Sequence, residues 1–280
     1  MSAIDKERVD ILLVQQGLFD SREQAKRAVM AGEILGKNEE RLDKAGQKIP
    51  VTTELHFKGE KLKYVSRGGL KLEKALNDFD ITVKDKIVLD IGSSTGGFTD
   101  VALQNGAKLV YALDVGTNQL VWKLRSDDRV KVMENTNFRY SKLNDFKFGQ
   151  PNFATIDVSF ISLGLILPPL ANIISMGGHV VALIKPQFEA GRENVGKNGI
   201  IKEPAVHKQV LQKTTQLMLQ DGFTISALTY SPIKGGQGNI EFLAVLIRDD
   251  SPSMADNINI DQLLAQTYAQ LNHTESQANE

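Results

Sequence analysis

The sequence predicts an α/β protein in which a doubly wound, mostly parallel sheet follows a small α+β unit. Three observations carry this reading. From Lys86 onward, strand-like apolar runs alternate with helical segments. A glycine-rich loop, Asp90 to Thr99, follows the first of those runs and opens a helix. Before Tyr64 the pattern differs: two short helices, then short extended pieces set apart by turn residues. The 280 residues divide into an N-terminal module at 1–57, a polar linker at 58–63, a main domain at 64–248 and an acidic tail at 249–280.

Lys6 to Gln16 reads as a short helix with Val9, Leu12 and Leu13 on one face, closed by Gly17. Ser21 stands as the N-cap of a second helix, with Gln24 at the capping-box position and Ala25, Ala28 and Val29 turned to the first. Gly32 ends it. Glu33–Leu35, Gln47–Ile49 and Thr53–Phe57 are extended pieces between turns at Gly36, Asn38, Gly46 and Pro50. Tyr64 to Phe79 starts extended and becomes helical after Gly69. The strand runs of the main domain are Ile87–Ile91, Leu109–Asp114, Val130–Met133, Phe153–Asp157, His179–Lys185, Thr224–Tyr230 and Ile240–Ile247. Helices are expected between the first five, and His207–Gln220 before the sixth. Pro232–Asn239 joins the last two runs as an antiparallel hairpin. In the tail, Ile260–Leu271 is amphipathic through Leu263, Leu264 and Tyr268, and reads either as a docked helix or as a frayed end.

Composition removes several function classes. There is no cysteine, hence no disulfide framework, zinc ribbon or thiol nucleophile. Met1 to Gln15 is too charged for a signal peptide, and the best apolar run, Ile161–Ile174, is broken by Pro168 and Pro169. A cytoplasmic protein without membrane insertion is expected. The chain has 33 Lys and Arg against 34 Asp and Glu, but six of the acids lie after Arg248 with no base among them. The body is therefore basic, which permits a polyanionic partner without demanding one.

The loop Asp90-Ile91-Gly92-Ser93-Ser94-Thr95-Gly96-Gly97-Phe98 suits a ligand that lies against backbone. Small residues let the chain approach closely, and the helix start offers free N–H groups. The glycine spacing is not the dinucleotide fingerprint. An acid at the loop's entry, Asp90, would repel a pyrophosphate but suits an ammonium and a sulfonium. Asp114 ends the second strand, where an acid accepts ribose hydroxyls. Asn135-Thr136-Asn137 follows the third, where an adenine edge would lie. Any one of these is an ordinary turn or cap. Occurring together, they favour S-adenosylmethionine over NAD.

Four charged residues stand where such a sheet converges on a methyl group. Lys71 lies near the start of the helix before the first strand. Asp157 ends the fourth strand, Lys185 ends the fifth and Glu241 begins the last. A ribose 2′-hydroxyl must lose its proton as it attacks. A lysine can take that proton if its own is displaced by burial or a neighbouring cation, or can stabilise the alkoxide while charged. The acids orient the lysines. Singly, each residue is a surface ion pair worth little; the signal is the set of four. Asp157-Val158-Ser159-Phe160 lacks the prolines of an amino-group methyltransferase. Phe188 to Lys202, with Gly191, Arg192, Lys197 and Gly199, reads as a mobile substrate loop, or as a surface loop without a role. Arg22, Lys26 and Arg27 share one face of the second helix, a candidate phosphate contact, and Lys58, Lys61, Lys63, Arg67, Lys71 and Lys74 continue the basic run.

These residues resemble the TlyA (haemolysin A-like) rRNA methyltransferases. Arg8-Val9-Asp10, Leu13, Gly17, Ser21-Arg22, Ala25 and Gly32 resemble an S4 RNA-binding domain. Tyr64 to Leu72, Asp90 to Asp100, Asp157 to Ser162, Lys185 to Glu189 and Gly238 to Glu241 resemble an FtsJ-type catalytic domain. The resemblance implies a Rossmann-like S-adenosylmethionine-dependent methyltransferase sheet behind an S4-like domain. It implies 2′-O-methylation of cytidine in ribosomal RNA, free or in a ribosomal subunit, with Lys71, Asp157, Lys185 and Glu241 catalytic. It places Asp90 to Phe98, Asp114 and Asn137 on the cofactor; Arg8, Arg22, Lys26, Arg27 and Arg67 are the candidate RNA contacts. It implies no oligomeric state and gives no role to the tail. The haemolysin name leaves a membrane-active protein as a second hypothesis, and a non-catalytic ribosome-binding assembly factor is a third.

Overall fold

The computed structural model describes residues 5–19, 21–59 and 63–277, and of residues 192, 197 and 271–277 the backbone alone. Lys61 in the expected linker, and the side chains of Arg192 and Lys197 in the expected substrate loop, lie outside the described parts. The chain forms two compact units, residues 1–63 and 64–280.

The first unit is built from β1 (Lys6–Arg8), α1 (Val9–Gln15), α2 (Arg22–Met30), β2 (Ile34–Leu35), β3 (Lys48–Pro50) and β4 (His56–Phe57). β1 pairs antiparallel with β3, and β2 with β4. The first helix begins at Val9, not at Lys6, because the backbone of Lys6–Arg8 is taken by that pairing. Ser21 Oγ accepts from Gln24 N at 3.3 Å and starts α2. Val9, Leu12, Leu13, Ala25, Val29 and Ile34 form the core.

The second unit contains α3 (Gly69–Asp78), β5 (Ile87–Ile91), α4 (Gly97–Gln104), β6 (Leu109–Leu113), α5 (Trp122–Arg125), β7 (Val130–Met133), β8 (Phe153–Ile156), α6 (Leu167–Ala171), β9 (His179–Ile184), α7 (Pro186–Glu189), α8 (Pro204–Gln220), β10 (Phe223–Tyr230), β11 (Phe242–Arg248) and α9 (Ile260–Gln277). Seven strands form one sheet in the order β10-β11-β9-β8-β5-β6-β7. The five central and right-hand strands are parallel, while β11 runs antiparallel to both β9 and β10. Neighbouring residues along a strand face opposite sides, so both faces need cover. Leu89 and Ile91 join Val210, Leu211 and Met218 of α8 on one side. Val88 joins Leu72 and Ala75 of α3 and Val101 and Ala102 of α4 on the other.

One connection differs from the sequence expectation, and one open alternative is decided. No α-helix connects β7 to β8; the crossover makes only 3-10 turns at Phe138–Tyr140 and Leu143–Asp145. Its polar side chains bond the local backbone instead, as in Asn137 Oδ1 with Arg139 N at 3.2 Å and Asp145 Oδ2 with Lys142 N at 2.8 Å. The tail is docked. Ser253 O accepts from Ile225 N at 2.8 Å, along the outer edge of β10. Leu263 and Leu264 of α9 are buried in the core beside α8. His207 of α8, pushed down to about 4 by burial, meets the Tyr268 hydroxyl at 2.5 Å through Nδ1.

Leu264→Ala is expected to cost about 2–5 kcal/mol, the range for emptying a buried leucine site. Urea unfolding of the full chain measures it, and a cost near zero would show that α9 lies on the surface without packing.

Candidate active site

The strand order reverses between β5 and β8: the chain runs outward through β6 and β7, then returns to β8 and β9. Ligands bind at the carboxyl ends of strands at such a point. A cavity of about 260 Å³ opens there, lined by Ser66, Gly68, Lys71, Gly92 to Thr95, Gly97, Phe98, Asp157, Ser159, Lys185, Gly236 and Glu241.

All four expected catalytic residues meet in it. Lys71, on the first turn of α3, places Nζ 2.6 Å from Glu241 Oε2 and 3.8 Å from Asp157 Oδ2. Lys185, directly after β9, places Nζ 2.5 Å from Asp157 Oδ1 and 3.1 Å from Ser159 Oγ. Asp157 therefore bridges the two lysines. The lysine side chains are 8% and 9% exposed, so they are nearly dry and their charge is balanced by two carboxylates. Asn239 sets the approach to Glu241. Its Nδ2 donates to Gly199 O at 2.9 Å and its Oδ1 accepts from Ile201 N at 3.0 Å, joining the end of the expected substrate loop to the turn before β11.

The loop after β5 lies beside this group. Gly92 has φ +87°, and a Cβ there would sit 2.5 Å from the Asp157 carbonyl oxygen, so only glycine lets the loop pass β8. A Cβ on Gly97 would sit 2.4 Å from Ser66 Oγ, so Gly97 lets the segment before α3 close on α4. Asp100 Oδ2 fastens the same segment by accepting from Val65 N at 2.9 Å.

The expected cofactor residues fall into two sets. Gly92, Ser93, Ser94, Thr95, Gly97 and Phe98 line the cavity. Asp90, Gly96, Asp114 and Asn137 do not. Asp90 lies beneath the loop, 1% exposed, where Oδ2 accepts from Thr99 Oγ1 at 2.7 Å and Oδ1 from Thr155 Oγ1 at 2.8 Å. It can act on a bound cation through its field and through the loop's shape, not by direct contact in this arrangement. Asp114 accepts from Ser94 N and Gly116 N, each at 2.8 Å, and pins two loops together. Each oxygen keeps a lone pair for a ribose hydroxyl. Ser66, Gly68, Ser159 and Gly236 line the cavity without having been assigned from sequence. Among the described residues no group of His, Asp and Glu could hold a metal ion.

The candidate RNA contacts are also divided. Arg8 Nε and Arg22 Nη2 hold Asp10, at 2.9 and 2.8 Å. Burial alone would raise that carboxyl, but the two guanidiniums overturn this and hold it below the usual carboxylate range. Both arginines thus have a structural task, which local helix spacing did not reveal. Lys26 pairs with Glu23 at 2.7 Å. Arg27 and, in the second unit, Arg67 are exposed.

Burial pushes the Asp90 carboxyl up to about 6, against its two threonine hydrogen bonds. In the unfolded chain it titrates near 4. The folded state therefore holds this proton more tightly. The associated stability is present below about pH 4 and is lost as pH rises through about 6. Urea unfolding of wild type and Asp90→Asn across that window should show a stability difference that falls with rising pH; a flat difference would mean the carboxyl is not held in this buried state.

Residues 64–248 match the family model described as FtsJ-like methyltransferase. A Bacillus subtilis chain that carries an rRNA methyltransferase name, YqxC, is 62% identical over 85% of this chain and 84% of that one. The 16S/23S rRNA (cytidine-2′-O)-methyltransferase TlyA of Mycobacterium tuberculosis is 38% identical over 84% of this chain and 87% of its own length. A solved structure from Streptococcus thermophilus that carries a hemolysin name is 60% identical, superposes with a TM-score of 0.79 and covers 98% of this chain and all of that one. With a cavity formed by the Gly92–Phe98 loop and two buried lysines bridged by Asp157, the chain belongs to the FtsJ-like methyltransferase family, in its TlyA (haemolysin A-like) group.

Proposed function

We propose that this enzyme transfers a methyl group from S-adenosylmethionine to the 2′-hydroxyl of a cytidine ribose in ribosomal RNA, free or within a ribosomal subunit, in the cytoplasm. The observation that carries the reading is the Asp157 carboxylate held between Lys71 and Lys185 at the mouth of the glycine loop. The names of the TlyA relatives supply the substrate class. When bound, S-adenosylmethionine supplies a methyl group on a positively charged sulfur. Gly92 to Phe98 would hold it, Asp114 would accept the ribose hydroxyls of its adenosine, and Asn137 would lie toward the adenine. Lys185 Nζ, in its amine form, takes the 2′-hydroxyl proton. Asp157 aims Lys185, and the Lys71–Glu241 pair holds the second oxygen of Asp157. Residues 1–57 act as the S4-like RNA-binding domain. No described helix is long and apolar enough to cross a membrane.

Mapping 2′-O-methyl groups on rRNA from cells with and without the gene tests this directly. A specific cytidine should lose its methyl group. Unchanged rRNA together with lysis of erythrocytes by the purified protein would favour a membrane-active role.

Lys185→Ala should slow single-turnover methylation by about a hundredfold or more at saturating cofactor and RNA, with cofactor affinity retained. Lys185→Arg should not restore it, because a guanidinium does not release its proton near neutral pH. Activity in Lys185→Arg would instead assign Lys185 to an RNA phosphate.

Arg27→Ala should weaken rRNA binding and shallow its salt dependence without changing thermal unfolding, since Arg27 has an exposed side chain. Arg22→Ala should lower thermal stability as well, because it leaves Asp10 with one partner. Equal unfolding temperatures for the two variants would contradict the Asp10 assignment.

A further inference from the structure

Glu189 has no part in the chemistry above, yet its residue is 3% exposed and it carries a carboxylate. It lies at the end of α7, four residues after Lys185. Its Oε2 accepts from Ser162 Oγ at 2.6 Å and its Oε1 from Leu163 N at 2.7 Å. Both donors belong to the turn that follows Asp157. One side chain therefore ties the segment leaving β8 to the helix leaving β9, the two segments that carry Asp157, Ser159 and Lys185. The main chain of Glu189 is fixed in turn: Lys213 Nζ of α8 donates to its carbonyl oxygen at 3.1 Å.

The turn it ties is strained. Phe160 has φ +64°, a left-handed conformation that bulky residues rarely adopt and keep only where their surroundings impose it. The Phe160 side chain does not impose it, being in a residue 90% exposed, with its ring 5.1 Å from that of Phe188. The constraints come from either side in sequence. Lys185 Nζ holds Ser159 one residue before, and Glu189 holds Ser162 and Leu163 two and three residues after.

Ser159 is well suited to a lysine that changes protonation state. A hydroxyl accepts from an ammonium and donates to an amine, whereas an ionised carboxylate only accepts. The Ser159 contact can therefore survive proton transfer when the Asp157 contact weakens. We propose that Glu189 is a positioning residue of the active site, locking the 157–163 turn so that Ser159 Oγ stays on Lys185 Nζ throughout the reaction. This rests on Lys185 acting as the proton acceptor. Burial pushes the Glu189 carboxyl up, against its hydrogen bonds to Ser162 and Leu163. A carboxamide also fits. It can accept from Leu163 N and donate to Ser162 Oγ, an oxygen that already accepts from Gly164 N at 3.2 Å. Glu189→Gln therefore keeps the lock and Glu189→Ala removes it.

The test uses the full chain and three readouts: amide hydrogen exchange across residues 157–165, cofactor affinity by calorimetry, and single-turnover methylation of rRNA at saturating cofactor and RNA. Glu189→Ala should speed exchange at Leu163 by about tenfold or more. It should slow methylation by about tenfold or more while cofactor affinity stays within about twofold. Glu189→Gln should restore both. A double variant with Ser159→Ala should be no slower than Ser159→Ala alone, because the two residues act through one contact. If Glu189→Ala does not fold, Ser162→Ala deletes one of the two hydrogen bonds and should shift exchange and rate in the same direction. Wild-type rate in Glu189→Ala, a defect that Glu189→Gln leaves in place, or additive losses in the double variant each overturn the proposal. Absence of methylation by the wild type would speak against the proposed function. Unchanged exchange in Glu189→Ala would speak against the lock whether or not methylation is seen.

Discussion

Asp157 reaches Lys185 at 2.5 Å and Lys71 at 3.8 Å, and the active site depends on this one carboxylate. Both lysine side chains are almost fully buried, at 8% and 9% exposure, so their ionised form needs carboxylate partners close by. Removing one partner from a buried charge pair commonly costs about 3–5 kcal/mol, because the other charge is left uncompensated. Glu241 completes the balance at 2.6 Å from Lys71. The four residues come from α3, the end of β8, the end of β9 and the residue before β11. Their pairing therefore also fixes where four separate chain segments end. The pairing is a structural requirement of the cavity.

The glycine loop after β5 is fixed to the same strand. Thr155 of β8, two residues before Asp157, donates to Asp90 at the end of β5. Gly92 then passes against the Asp157 carbonyl oxygen, where any side chain would collide. A shift of β8 would move the acid between the lysines and the floor of the glycine loop together. The cavity at this reversal of strand order is accordingly lined by both the loop and the charged residues.

The sequence made the strands and the four charged residues legible, for a local reason. Ile87–Ile91 and Val130–Met133 are continuous runs bounded by polar turns, and both are strands over those residues. Lys71, Asp157, Lys185 and Glu241 could be placed because each stands at an element boundary that hydrophobic patterning marks. What was not legible depends on distant partners. Lys6–Arg8 is a strand because Lys48–Pro50 pairs with it. Arg8 and Arg22 turn to Asp10, which helix spacing alone does not indicate. The choice between a docked and a frayed tail was decided by Leu263 and Leu264 entering a core formed far away in sequence. Ser159 resembles any turn serine until Lys185 is placed beside it.

The buried acids of the two units share one device with different consequences. A carboxylate has two acceptor oxygens and no donor to leave unsatisfied, so it can pin two segments at once. Asp10 pins Arg8 and Arg22, Asp90 pins Thr99 and Thr155, and Glu189 pins Ser162 and Leu163. At Asp10 the donors are cations, and they hold the carboxyl below the usual range. At Asp90 the donors are neutral hydroxyls, and burial carries it up to about 6. Among the described residues, only the neutral Thr99 and Thr155 hydroxyls donate side-chain hydrogen bonds to Asp90. Its two threonine partners tie Asp90 to α4 and to β8, so this carboxyl holds the floor of the glycine loop in place.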